Sequence, residues 1–157
     1  MLPDKQTILI VDDNEESLKA IKRALQKDYR VIISDKGSKA IELLKKEAID
    51  ITITDLKMPG VDGMDVLEKT KEIDPEISVI MLTAYGTIEN AVDAMKAGAV
   101  DYLLKPVDVF ELRTRVKKII QNKALHREIN YLRAQVNKKY GFHNIIGNSE
   151  AMKNIYV

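Results

Sequence analysis

The sequence contains no cysteine, which excludes disulfides, thiolate metal sites and cysteine nucleophiles together and fits a reducing compartment. Long apolar runs are missing as well. The apolar blocks are short, such as Ile8-Leu9-Ile10-Val11, against the ~20 residues that a membrane-spanning helix requires. The opening Met1-Leu2-Pro3-Asp4-Lys5 carries no apolar signal region. Nor is there an excess of charge of one sign, since 25 Lys and Arg stand against 24 Asp and Glu. That balance gives no electrostatic reason to expect binding to nucleic acid or to an anionic membrane. The expectation is a soluble, cytoplasmic chain with no direct nucleic-acid contact and no membrane contact.

What is present has the rhythm of an α/β domain. The 157 residues suffice for one core of ordinary size plus an extension. Short apolar runs alternate with amphipathic stretches five times, the pattern of helices packed on a mostly parallel sheet. Strands are predicted at Thr7–Asp12, Arg30–Ser34, Asp50–Asp55, Ile77–Leu82 and Val100–Leu104, rich in Ile, Val and Leu as doubly covered strands are. Between them Leu18, Ile21 and Leu25 share a helical face, as do Ile41, Leu44 and Ala48, and Ile88, Val92 and Met95. These are the faces expected to meet the sheet. Gly98 sits where a helix C-cap glycine belongs. A fifth helix begins near Asp108 as N-cap, with Leu112, Val116 and Ile119 turned to the sheet. No Gly or Pro interrupts Gln121 to Lys139, so the same helix is expected to run on and to end at Gly141.

Polar residues with chemical potential fall at the C-terminal ends of different strands: Asp12 and Asp13 after the first, Asp55 after the third, Thr83 after the fourth, Lys105 after the fifth. That edge is where ligands bind in open α/β sheets. Singly, each residue has an ordinary reading as a cap, a turn former, a β-branched strand end or a solvated lysine. Jointly, they point to one site. Three carboxylates placed together repel by ~1 kcal/mol per close pair in water and by ~4 at an effective dielectric of 20. A hard cation offsets this, and magnesium suits a site that shares one or two carboxylates with a phosphate.

The strand ending in Asp12-Asp13, the segment Asp55-Leu56-Lys57-Met58-Pro59-Gly60-Val61-Asp62-Gly63-Met64, the segment Thr83-Ala84-Tyr85-Gly86 and the pair Lys105-Pro106 resemble response-regulator receiver domains. The resemblance covers roughly Ile8 to Gln121 and is specific as an ordered set. It implies a flavodoxin-like doubly wound five-stranded parallel sheet of order 2-1-3-4-5. It implies that Asp55 accepts a phosphoryl group from a sensor histidine kinase. It implies that Asp13, Asp55 and the main-chain carbonyl of Lys57 ligate Mg2+, with Asp12 supporting, and that Lys105 and Thr83 contact phosphoryl oxygens. A cis Lys105-Pro106 bond is expected with it. Thr83 and Tyr102 resemble the family's switch pair, and Lys57 and Tyr85 occupy the positions flanking the hydrolytic water. Neither can orient that water well, so slow loss of the phosphoryl group is expected.

Beyond the receiver, Leu125, Ile129, Leu132 and Val136 repeat at spacings of four, three and four, a coiled-coil seam. The seam is out of phase with Leu112, Val116 and Ile119, and a homodimer through it is expected. The tail from Phe142 to Met152 resembles the opening of the AAA+ domain in sigma-54-dependent activators of the nitrogen-regulator C type. The domains are therefore read as a receiver over 1–121, a helical coiled-coil linker over 122–139 and the start of a truncated AAA+ ATPase domain over 140–157. No G-x-x-x-x-G-K-[ST] phosphate loop occurs, so the chain is expected to be a phosphoacceptor switch rather than an enzyme. Downstream ATPase and DNA-binding domains would lie outside it. Two rivals are weaker. A stand-alone receiver needs no seam, and a haloacid-dehalogenase-like phosphohydrolase would carry Asp-x-Asp after the first strand, where this chain has Asp12-Asp13-Asn14.

Overall fold

The computed structural model describes residues 5–84 and 86–147, with side chains described to Val136. The chain divides into two compact units, Met1–Val116 and Lys117–Val157. In the first, strands β1 (Thr7–Val11), β2 (Arg30–Ser34), β3 (Ile51–Asp55), β4 (Ser78–Thr83) and β5 (Asp101–Leu104) alternate with helices α1 (Glu15–Leu25), α2 (Gly37–Lys46), α3 (Gly63–Ile73) and α4 (Ile88–Lys96). The fifth helix, α5 (Val109–Gly147), begins in this unit and supplies the described part of the other. The sheet is wholly parallel in the order β2-β1-β3-β4-β5, the order expected from the sequence.

Burial explains the strand compositions. Every residue of β1 and β3 is buried, whereas the edge strands β2 and β5 are partly exposed. Central parallel strands lose water from both faces, so β1 tolerates almost nothing but Ile, Leu and Val. Their ends shift by a residue from the predicted bounds: Asp12, Asp50 and Val100 lie just outside their strands, and Thr83 lies inside β4.

The α1 stripe of Leu18, Ile21 and Leu25 is buried as its spacing requires. Two other predicted faces are corrected. On α2 the buried set is Gly37, Ala40 and Leu44, with Ile41 only half-buried; Ala48 lies past the end of the helix and Ile49 takes the core position. Gly37 sets this rotation, because a Cβ there would run into the Val61 carbonyl and side chain. On α4 the core residue is Ala94, while Ile88, Val92 and Met95 are 85, 43 and 49 % exposed. A small residue toward the sheet lets the helix sit close to Met81 and Ala99, and the bulky stripe is left on the outside. Gly98 follows α4 at φ +108°, the left-handed cap expected of it.

Asp108 accepts from the main-chain N–H groups of Phe110 and Glu111, so α5 starts where its cap predicts. Leu112, Val116 and Ile119 are buried. Its end is corrected: the helix passes through Gly141 and is described as far as Gly147. A glycine inside a helix costs about 1 kcal/mol relative to alanine, too little by itself to end a helix. Farther along, Leu125, Ile129, Leu132 and Val136 are 54, 36, 54 and 40 % exposed. Among the described residues no helix is long and apolar enough to cross a membrane.

Candidate phosphoryl-acceptor site

The carboxyl ends of β1 and β3 lie side by side because the register pairs Val11 with Thr54, and this brings Asp12, Asp13 and Asp55 together. One carboxylate oxygen from each lies within 4.8 Å of the others. Asp12 and Asp55 are buried and Asp13 is exposed, so the cluster has a closed floor and an open mouth. The local chemistry fixes each piece. Asn14, not Asp12 or Asp13, caps α1 through the Ser17 N–H, which leaves both aspartates available to the site. Asp12 Oδ1 accepts the Asn14 N–H at 2.9 Å, which holds its carboxylate over the strand end.

The stretch after Asp55 must turn sharply to clear the site. Gly60 takes φ +75°, a conformation that suits glycine, and Asp62 with Asp65 forms a reciprocal capping box that starts α3. Gly63 is required by space: a Cβ there would collide with the Asp55 carbonyl and with Leu56 Cα. The first turn of α3 therefore braces the main chain that carries Asp55. Lys57 is exposed at the start of this turn.

Lys105 reaches in from the other side. Its peptide bond to Pro106 is cis, as expected. Its ammonium lies 2.5 Å from Asp12 Oδ2 and 3.5 Å from Asp55 Oδ2, with the lysine side chain 18 % exposed. The direct pairing with Asp12 was not legible in the sequence, which offered Lys105 only to phosphoryl oxygens. Burial pushes the Asp55 carboxyl above its ordinary pKa; Lys105 works against this shift, while Asp12 and Asp13 add to it. A site that disfavours its own negative charge is one that a cation would relieve, and the all-oxygen donor set fits a hard divalent ion.

Thr83 ends β4 and is fully buried. In the β4–β5 register Thr83 faces Leu104 and Met81 faces Tyr102, so the period-two alternation puts Thr83 and Tyr102 on one face of the sheet. The Tyr102 ring packs with the cluster of Leu56, Leu67, Val79, Met81 and Ala94. Its buried hydroxyl has no oriented hydrogen-bond partner among the described residues, although the Thr87 main chain lies near its oxygen, and burial raises the phenol pKa. Leaving such a group unanswered costs about 1–3 kcal/mol. Tyr85 lies outside the described residues. A cleft of about 450 Å³ opens beside Lys105, lined among others by Glu16, Ser17, Ala20, Ala84 and Pro106. Four of the expected residues, Asp12, Asp13, Asp55 and Lys105, thus meet directly, and Thr83 and Tyr102 share the adjoining sheet face.

Known proteins carry the same pattern. Residues 8–117 match the response regulator receiver domain. The Regulatory protein AtoC of Escherichia coli (strain K12) is 31% identical over 149 residues, which are 94% of this chain and 32% of that protein. The chain thus spans about a third of that relative's length. The Sporulation initiation phosphotransferase F of Bacillus subtilis (strain 168) is 34% identical over 120 residues, covering 76% of this chain and 97% of that protein. Among solved structures, the CheY-like response regulator receiver domain protein from Methanospirillum hungatei JF-1 superposes with a TM-score of 0.76 at 30% identity, over 78% of this chain and 99% of that one. With the sheet order, the acidic cluster and these matches in agreement, the chain belongs to the response regulator receiver domain family.

Proposed function

We propose that this chain is the phosphoacceptor switch of a two-component transcriptional regulator, in which Asp55 takes a phosphoryl group from a histidine kinase. The observation that carries this reading is the convergence of Asp12, Asp13, Asp55 and Lys105 at the carboxyl edge of one sheet. An Asp55 oxygen attacks phosphorus, the bond from phosphorus to the donor imidazole breaks, and the phosphoryl group ends on the carboxylate as an acyl phosphate. Such a transfer asks the protein chiefly for alignment and charge neutralisation. Asp12, Asp13 and Asp55, with the main-chain carbonyl of Lys57, would hold Mg2+, which supplies positive charge when bound. Lys105 contributes a second cation: as phosphoryl oxygens arrive on Asp55, the ammonium moves from Asp12 toward them.

The Thr83 hydroxyl then binds a phosphoryl oxygen, and the Tyr102 ring, whose hydroxyl is poorly answered where it sits, takes a second setting. Helix α4 packs through Ala94 into the cluster that the Tyr102 ring also meets, so its exposed outer stripe, Ile88-Val92-Met95, is placed to read that change. The chain works as a switch with no turnover on external substrates. It acts in the cytoplasm, does not touch DNA itself, and forms a homodimer through Leu125, Ile129, Leu132 and Val136. The resemblance of the tail to a sigma-54 activator, together with the similarity to AtoC over a third of that protein, supports ATPase and DNA-binding domains beyond this segment. Residues 148–157 of that tail lie outside the described residues.

Incubation with magnesium and a small phosphoryl donor, followed by intact-mass analysis, should add one phosphoryl group. The addition should need the divalent ion, and Asp55→Asn should abolish it. Equal labelling of the Asp55→Asn variant would overturn the choice of nucleophile.

A further inference from the structure

A charged cluster outside the phosphorylation site joins the edge strand β5 to helix α5. Arg115 Nη1 donates to both carboxylate oxygens of Asp101, at 2.7 and 2.8 Å, and Nη2 donates to Glu111 at 3.2 Å. Asp101 Oδ1 also accepts the main-chain N–H of Tyr102 at 3.2 Å. One carboxylate therefore holds the backbone of the next residue and a guanidinium from the helix. The Asp101 side chain is only 21 % exposed, so this pair is better shielded than the surface pairs Lys19–Glu15 and Lys39–Asp35. Strand β5 has a neighbour on one side alone. Its other restraints come from side chains such as these.

We propose that Asp101 and Arg115 are positioning residues that couple the setting of the Tyr102 ring to the first turns of α5. The inference rests on the Tyr102 switch argued above. When the ring changes its setting, strand β5 resettles around it, and Asp101, which accepts the Tyr102 N–H, moves with that backbone. The carboxylate then shifts or loosens the guanidinium, and Arg115 passes the displacement to the helix, where Glu111 shares it. A bare apolar contact would let the strand slide beneath the helix; a short, charge-assisted contact does not.

Hydrogen exchange of the whole chain, with and without phosphorylation by phosphoramidate and magnesium, tests this. The wild type should change protection on phosphorylation both in 101–104 and in 109–116. Arg115→Met keeps the aliphatic stem, so it should retain the change in 101–104 and lose that in 109–116 by about fivefold, the low end of coupling between sites. Arg115→Lys, which keeps a cation for Asp101, should restore it in part. A merely structural role would alter protection equally in both states and leave the difference intact. Asp101→Asn keeps an acceptor for the Tyr102 N–H and loses the charge, and it serves as the second variant if Arg115→Met folds poorly. A variant that keeps the full phosphorylation-dependent change in 109–116 overturns the coupling. A wild type that changes in 101–104 but not in 109–116 also overturns it and spares the switch. A wild type that takes up phosphoryl yet changes in neither segment overturns the Tyr102 switch itself.

Discussion

At the scale of single residues, the site is held at an electrostatic cost that can be measured. Burial and the two neighbouring carboxylates raise the Asp55 pKa above the ordinary 3.8, so the folded state resists ionising this group. Below 3.8 Asp55 is neutral in both folded and unfolded chains, and it exacts no penalty. As the pH rises through its higher folded-state pKa, the folded chain loses stability relative to one with a neutral residue at 55. Asp55→Asn removes two like-charge pairs, with Asp12 and Asp13, and one favourable contact, with Lys105, and should therefore be more stable than the wild type at pH 7 by a net of about 1 kcal/mol. The gap should close in acid and shrink on adding magnesium; urea titrations across pH would read it. A second cost sits away from the chemistry. The Thr52 hydroxyl is fully buried with no hydrogen-bond partner among the described residues. Thr52→Val keeps the shape and β-branching while removing the unanswered group, and should stabilise the chain by about 1 kcal/mol. Loss of stability in the same titration would show that the hydroxyl is answered after all.

At the scale of elements, the sequence spoke most clearly where one physical demand ruled. Central strand β1 needed apolar residues on both faces, and β3 alternates Ile with buried Thr; both are closed to water throughout, and their place was plain. The convergence of Asp12, Asp13, Asp55 and Lys105 was legible for a related reason, since strand ends are where the chain leaves the sheet and where the parallel order brings polar groups to one edge. Helix faces were harder. On α2 and α4 the apolar stripe that spacing picks out is not the one that packs, because Gly37 and Ala94 win the core position by being small. Periodicity weighs hydrophobicity and ignores how close two backbones can approach. The pairing of Lys105 with Asp12, and of Arg115 with Asp101, was illegible because partners far apart in sequence leave no periodic trace. The α4 reading has a direct check. Ala94→Leu should overpack the interface and cost about 1–3 kcal/mol. Ile88→Lys, on the exposed stripe, should stay within about 0.5 kcal/mol in thermal or urea unfolding. The reverse ranking would restore the face that the spacing predicted.

At the scale of the whole molecule, the question is what covers the apolar line on the second half of α5. Leu125, Ile129, Leu132 and Val136 stand on one face of a helix that continues to Gly147, and each is at least a third exposed. A lone amphipathic helix gains little stability without a packing partner, and two-fold pairing of identical chains is the commonest way to supply one. In heptad terms Ile129 and Val136 take a positions and Leu125 and Leu132 take d positions, the β-branched and γ-branched arrangement that favours two parallel strands. Asn122 falls at the preceding a position, where a polar residue fixes register at some loss of stability. The flanks agree, because Glu128 at g and Arg133 at e come opposite one another between parallel helices and would pair twice in the dimer. Sedimentation equilibrium should therefore give twice the chain mass, and the double substitution Ile129→Asp with Leu132→Asp should give monomers that still take up one phosphoryl group at Asp55. Exchanging the flanking charges, Glu128→Arg with Arg133→Glu, should leave the dimer intact, whereas Glu128→Arg alone should weaken it and make its stability rise with salt as the like charges are screened. A wild-type chain that stays monomeric at high micromolar concentration would refute the pairing. A double-aspartate variant that stays dimeric would move the interface onto the receiver, where α4 carries one exposed apolar stripe among the described residues.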